Sequence, residues 1–115
     1  MSADFVILRV NDYRKAQQWY QEKLGLTSTF DENEKYVVLD LAGTSLTLHE
    51  LSDQENKVGK EWSSTYPILY TNEIEQAHQY LGEQQVEVEP IQEAGNVRFF
   101  GFYDLDANRL EVCCY

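Results

Sequence analysis

Phe5-Val6-Ile7-Leu8-Arg9-Val10-Asn11-Asp12 and Tyr66-Pro67-Ile68-Leu69-Tyr70-Thr71-Asn72-Glu73 are two versions of one pattern. Aromatic matches aromatic, Ile-Leu matches Ile-Leu, and Asn followed by an acid matches Asn followed by an acid. The correspondence continues through Ala16 and Ala77, Gln18 and Gln79, and Trp19 and Tyr80. Such a repeat signals one supersecondary unit used twice. Each copy opens on a short run rich in β-branched and aromatic residues, which predicts a strand. Asn11 and Asn72 read as N-caps, with Asp12 and Glu73 placing negative charge in the first helical turn. Tyr13, Ala16 and Tyr20 recur at helical spacing, as do Ile74, Ala77 and Leu81, so helices are predicted as far as Lys23 and Leu81. Gly25 and Gly82 read as their stops.

Three strands are predicted after each helix. The first set lies near Thr27–Phe30, Lys35–Leu41 and Thr44–Glu50, with Asn33 and Ala42-Gly43 at the turns. The second lies near Gln85–Ile91, Val97–Tyr103 and Arg109–Tyr115, with Gly95-Asn96 and Asp106-Ala107-Asn108 at the turns. The polar stretch from Ser52 to Ser64 reads as a linker between modules and as a flap beside a cavity. The expected fold is α+β: two tandem βαβββ modules whose curved mixed sheets enclose a cavity. Module one covers residues 1–51 and module two residues 65–115, within a single domain.

Strand alternation sorts the side chains. Val6, Leu8 and Val10 form an aliphatic face suited to the helix, which leaves Phe5, Ile7 and Arg9 on the other side. Leu46 and Leu48 pack inward, while Thr47 and His49 face the cavity. In the second module Pro67, Leu69 and Thr71 take the helix side, and Tyr66, Ile68 and Tyr70 the cavity. On the last strand Leu110, Val112 and Cys114 pack inward, and Glu111, Cys113 and Tyr115 face the cavity. Trp62, Phe99, Phe100 and Phe102 read as core or subunit interface.

A chain of 115 residues suits one domain and buries a core without disulfide or metal staples. Hydrophobic residues at 43% exclude intrinsic disorder. A net charge of −11 repels phosphates and excludes nucleic acid as a partner. Acidic turns such as Asp31-Glu32-Asn33-Glu34 make solubility the plain reading of that charge; attraction of a cationic ligand is the sharper one. The adjacent Cys113 and Cys114 point to opposite faces and provide no disulfide framework. Met1-Ser2-Ala3-Asp4 lacks the basic and apolar pattern of a signal peptide, and no apolar run is long enough to cross a membrane. A cytoplasmic location without membrane association is expected.

The sequence resembles the vicinal oxygen chelate superfamily, which includes glyoxalase I, bleomycin and fosfomycin resistance proteins and extradiol dioxygenases. Three segments carry the resemblance: Phe5 to Asp12, Trp19-Tyr20 with Leu24-Gly25-Leu26, and Phe102-Tyr103-Asp104-Leu105-Asp106-Ala107-Asn108-Arg109-Leu110-Glu111. The last is similar to the family's Asp-Pro-Asp-Gly-Asn-x-x-Glu turn, with Leu105 in place of proline and Ala107 in place of glycine. The resemblance implies four metal-ligand positions, which fall on Phe5, near Thr47, on Tyr66 and on Glu111. Only Glu111 keeps the family's residue. Phenylalanine cannot coordinate a metal, and tyrosine and threonine are poor ligands for the usual ions. His49 adds one donor, which leaves fewer than the three a catalytic site usually needs. No metal and no cofactor are therefore expected.

Arg9 is a candidate base beside Glu111, or a clamp for an anionic group. Three functions follow. The first is a metal-free binding protein, resembling the bleomycin resistance group, that sequesters a small aromatic or cationic compound. The second is an enzyme of the glyoxalase, lyase or dioxygenase type using His49 and Glu111. The third is an interaction or regulatory module without a small ligand. Exposed sheet edges in each half predict a homodimer.

Overall fold

The structure is a computed structural model that describes residues 5–31, 36–41, 43–50 and 65–115. For Phe5, Thr29, Phe30, Asp31 and Tyr36 it describes the backbone alone. The expected linker and flap, Asn33, Ala42 and Trp62 lie outside the described residues. The chain divides into two compact units, Met1–Val58 and Gly59–Tyr115.

In the first unit the order is β1 (Phe5–Val10), α1 (Tyr13–Leu24), β2 (Thr27–Asp31), β3 (Tyr36–Leu41) and β4 (Thr44–Glu50). The strands form one mixed sheet in the order β1-β4-β3-β2, with β1 parallel to β4 and the other pairs antiparallel. One face is the core: Leu8, Val10, Val37, Leu39, Leu41, Leu46 and Leu48 are buried, along with Ala16 and Tyr20 of α1. Alternation forces this, since consecutive strand residues face opposite ways. Val6 is the exception on the helix-facing parity of β1: it remains exposed at this outer strand.

The α1 cap lies one residue later than the sequence suggests. Asp12, not Asn11, is the N-cap: its backbone is extended and its Oδ1 accepts from the amides of Arg14 and Lys15 at 3.0 and 3.1 Å. Glu50, at the end of β4, adds a second carboxylate whose Oε1 accepts from the Tyr13 amide at 3.1 Å. Two carboxylates thus satisfy three of the amides that a helix start leaves without partners, where negative charge is favoured. Gly25 ends the helix as expected, in the left-handed region at φ 69°, and its amide donates to the Gln21 carbonyl at 3.1 Å.

In the second unit the order is β5 (Ile68–Tyr70), α2 (Ile74–Glu83), β6 (Glu87–Val88), β7 (Gln92–Ala94), β8 (Val97–Tyr103) and β9 (Arg109–Cys114). The path is β5-β9-β8-β6, with β7 also pairing β8 and β5 parallel to β9. Ile74, Leu81, Val86, Phe100, Phe102, Leu110 and Val112 form its core. Three expectations are corrected here. Asn72 is not the N-cap; that position is Glu73, whose side chain makes no capping bond, while its amide donates to Thr71 Oγ1 at 3.1 Å. Gly82 does not stop α2, which continues to Glu83; Gln85, at φ 64°, makes the reversal instead. The single strand expected over Gln85–Ile91 is two short strands. Gln85 is spent on the turn, and Pro90 has no N–H to give to the ladder, so pairing lapses between β6 and β7.

No helix among the described residues is long and apolar enough to cross a membrane.

Candidate functional site

In module one the register places Ile7 beside Thr47 and Arg9 beside His49, on the face opposite the buried leucines. The backbone of Phe5 pairs with Ser45 at the start of the same strand. Ile7 and Arg9 are exposed, Thr47 is buried, and His49 is half-buried with its Nδ1 3.1 Å from the Glu50 carbonyl.

Module two carries the more developed site. The β8–β9 register sets Phe99 opposite Cys113, Gly101 opposite Glu111 and Tyr103 opposite Arg109. The β5–β9 register sets Ile68 beside Glu111 and Tyr70 beside Cys113. All these side chains share the face away from the buried Leu110, Val112, Phe100 and Phe102. A concave pocket of about 350 Å³ opens there, lined by Tyr66, Ile68, Val97, Phe99, Glu111, Cys113 and Tyr115. Tyr70 stands outside the lining. Its ring lies 4.9 Å from that of Tyr115 and its hydroxyl donates to the Tyr115 carbonyl at 3.4 Å, so it buttresses the pocket wall. Cys113 and Cys114 are free thiols on opposite faces.

Glu111 is the one charged group on the lining, and it is buried at 8% exposure. Its partner within the unit is Arg109, two residues earlier on the same strand face, a base the sequence analysis did not single out. Arg109 Nε and Nη2 both donate to Glu111 Oε2, at 3.2 and 2.8 Å. Its Nη1 donates to Glu89 Oε1 at 2.9 Å and to the Tyr103 hydroxyl at 2.7 Å. That hydroxyl in turn donates to Glu89 Oε2 at 2.7 Å. The guanidinium carbon lies 5.3 Å from the centre of the Tyr66 ring and 5.7 Å from that of Tyr103, within cation–π range.

This closed set of bonds has electrostatic consequences. Burial works against the Arg109 charge, but the bonds to Glu111 and Glu89 outweigh it and hold its pKa above the ordinary guanidinium value. The bond from Tyr103 to Glu89, aided by burial, keeps the Tyr103 phenol protonated beyond its usual range, against the opposing pull of Arg109. Glu89 is anchored through its backbone as well: its amide donates to the Gly101 carbonyl at 2.8 Å, and its carbonyl lies 2.9 Å from Nε2 of His78 on α2. The His78 ring stands edge-on to Phe100 at 4.8 Å, so helix, β6 and the polar cluster are fixed together.

Gly101 makes room for the cluster. A Cβ there would lie 2.5 Å from Cζ, Nη1 and Nη2 of Arg109. Sequence reasoning passed over Arg109, Glu89, Tyr103 and Gly101, and grouped Phe99 with the core phenylalanines. Phe100 and Phe102 are indeed buried, but Phe99 faces the pocket. The signal was available, because Phe99 has the parity of Gly101 and Tyr103, and Arg109 that of Glu111.

The model of the Glyoxalase/Bleomycin resistance protein/Dioxygenase superfamily matches residues 2–112. The chain belongs to this superfamily. Its fold is similar to that of a genomically encoded fosfomycin resistance protein from Listeria monocytogenes, with TM-score 0.79 and 17% identity over 100% of this chain and 93% of that one. It is similar to a glyoxalase family protein from Enterococcus faecalis, with TM-score 0.78 and 22% identity over 97% and 96%. A glyoxylase/bleomycin resistance protein/dioxygenase domain from Frankia sp. EAN1pec matches with TM-score 0.79 and 19% identity over 99% and 97%. No curated protein matches by sequence. At these identities the likeness establishes the fold.

A divalent metal at the positions the resemblance implies does not suit the donors present. Glu111 is bound to a guanidinium, its pocket neighbours are Tyr66, Ile68, Phe99 and Cys113, and no three His, Cys, Asp or Glu side chains gather among the described residues. A cation placed on Glu111 would share the carboxylate with the Arg109 guanidinium and be repelled by it.

Proposed function

We propose that this superfamily member is a small-molecule binding protein that works without a metal and takes an aromatic compound into the module-two pocket. One observation carries the reading. The single retained family ligand, Glu111, is tied to Arg109, and the wall around it is aromatic and aliphatic. Such a wall offers stacking area with one polar group to fix orientation, which is how small-ligand sites are commonly built. The enzyme reading that joins His49 and Glu111 has less support, because Glu111 commits one carboxylate oxygen to Arg109 and no three metal-ligating side chains gather among the described residues. An interaction module without a ligand accounts for the fold but not for the pocket.

The test is a thermal-shift screen of the unmodified protein against aromatic compounds and divalent ions. Aromatic compounds should raise Tm in a concentration-dependent way, as binding to the folded state alone requires. Phe99→Ala should remove most of that shift. Divalent ions at equal concentration should leave Tm unchanged. A shift produced by one equivalent of a divalent ion, with none from any aromatic compound, overturns the reading. Assembly as a homodimer belongs to the same proposal: β1 and β5 are outer strands, and Ile68, Tyr70 and Tyr115 are 57%, 55% and 77% exposed in the single chain. Sedimentation showing monomer alone at high concentration removes it.

A further inference from the structure

We infer that the pocket recognises a neutral aromatic hydrogen-bond donor, such as a phenol, an indole or an anilide, and that Arg109 sets this preference from behind the lining. The inference rests on the binding role proposed above and specifies its ligand. Both bonds from Arg109 fall on Glu111 Oε2. Among the described residues no donor reaches Oε1, although the side chain is only 10% exposed. Glu111 lines the pocket, so Oε1 is the acceptor it leaves for a donor that enters there.

The charge of that donor follows from the pairing. Glu111 meets the pocket already bonded to the Arg109 guanidinium, which lies directly behind it. Glu89 also touches the guanidinium, but from the far side, off the pocket lining and at 31% exposure, where solvent screens it. A cationic ligand would gain from Glu111 and be repelled by Arg109, and would leave water without a full counter-charge. An anionic ligand offers Oε1 no donor and is repelled by it. A neutral N–H or O–H loses little on leaving water, and its bond to a carboxylate is charge-assisted. Ile68, Val97, Phe99, Tyr66 and Tyr115 then cover the ring.

Four probes of one shape separate the possibilities: 4-methylphenol, 4-methylanisole, 4-methylbenzylammonium and 4-methylbenzoate, titrated calorimetrically into the full chain at neutral pH. The phenol should bind about tenfold tighter than the anisole, which lacks the donor, and about tenfold tighter than the ammonium. Arg109→Met leaves Glu111 unpaired and should reverse the phenol–ammonium order. Arg109→Lys, which keeps the charge, should retain the original order, and it stands in for the Met variant should that fail to fold. An ammonium that matches or exceeds the phenol on the unmodified protein overturns the inference and leaves the binding role intact, as does an anisole that equals the phenol. No binding by any of the four removes the binding role itself. An unchanged order in folded Arg109→Met, or a reversed order in Arg109→Lys, removes Arg109 as its source.

Discussion

Gly101→Ala is expected to destabilise the protein by about 2 kcal/mol, and to cost almost nothing once Arg109 has been replaced by methionine. The reason is steric first and electrostatic second. A methyl at this position lies 2.5 Å from three atoms of the guanidinium. The guanidinium cannot tilt away without giving up bonds, because it donates to Glu111 on one side and to Glu89 and Tyr103 on the other. Displacing it leaves Glu111 and Glu89 at 10% and 31% side-chain exposure without their common counter-ion. Breaking a buried pair by removing one partner typically costs about 3–5 kcal/mol. The partial exposure of Glu89 and the mobility of a displaced arginine bring the figure down towards the lower value. In the Arg109→Met background the same methyl meets a flexible thioether, and alanine's advantage over glycine in a strand, roughly 0.5–1 kcal/mol, offsets what crowding remains. Urea unfolding of the two single variants and the double variant should therefore show a coupling of about 2 kcal/mol. Strictly additive costs would mean that Gly101 is not there to admit Arg109.

That dependence explains which parts of the molecule the sequence revealed. The duplicated opening pattern reports the two modules because each copy contains its own strand, helix start and apolar spacing, all local properties. The burial of Leu46 and Leu48 is likewise a matter of alternation along one strand, whereas Thr47 between them is buried too, which alternation alone does not predict. The helix caps were less legible. Asn11 and Asp12 are both good capping residues, and the start of the helix also draws on Glu50, whose carboxylate comes from 37 residues away to hold the Tyr13 amide. The partner of Glu111 was hidden for a similar reason. Arg9 and Arg109 are both on cavity-facing parity, and only the β8–β9 register, with a glycine opposite Glu111, shows where a guanidinium can lie flat. Phe99 required the same register, because Phe99 and Phe100 are consecutive phenylalanines with opposite destinations.

Asp104→Ala is expected to cost about 3 kcal/mol, although Asp104 is not part of the pocket lining. Asp104 is buried at 6% exposure in the turn between β8 and β9. Its Oδ1 accepts from the amides of Asp106 and Asn108, both at 2.8 Å, and its Oδ2 accepts from Asn108 Nδ2 at 3.0 Å. Its backbone closes the same loop: the Asp104 amide donates to the Asn108 carbonyl and the Ala107 amide to the Asp104 carbonyl, each at 3.0 Å. These bonds hold Ala107 at φ 63°, a left-handed conformation that costs a residue with a Cβ about 1–2 kcal/mol. Alanine at 104 removes three acceptor contacts made by a charged group, each typically worth about 1.5–3 kcal/mol and less than additive together, and leaves buried amides without partners. Asp104→Asn separates charge from geometry. The amide oxygen can still take the two backbone N–H groups, but its NH₂ then faces the NH₂ of Asn108, so a cost of about 1–2 kcal/mol is expected. The turn also starts β9 at Arg109, so its loosening should reach the pocket. Urea unfolding measures the stability change, and the ligand titrations measure its transmission. A change below about 0.5 kcal/mol on Asp104→Ala would show that the turn is held by the Asp104 and Asn108 backbones alone, without help from the carboxylate.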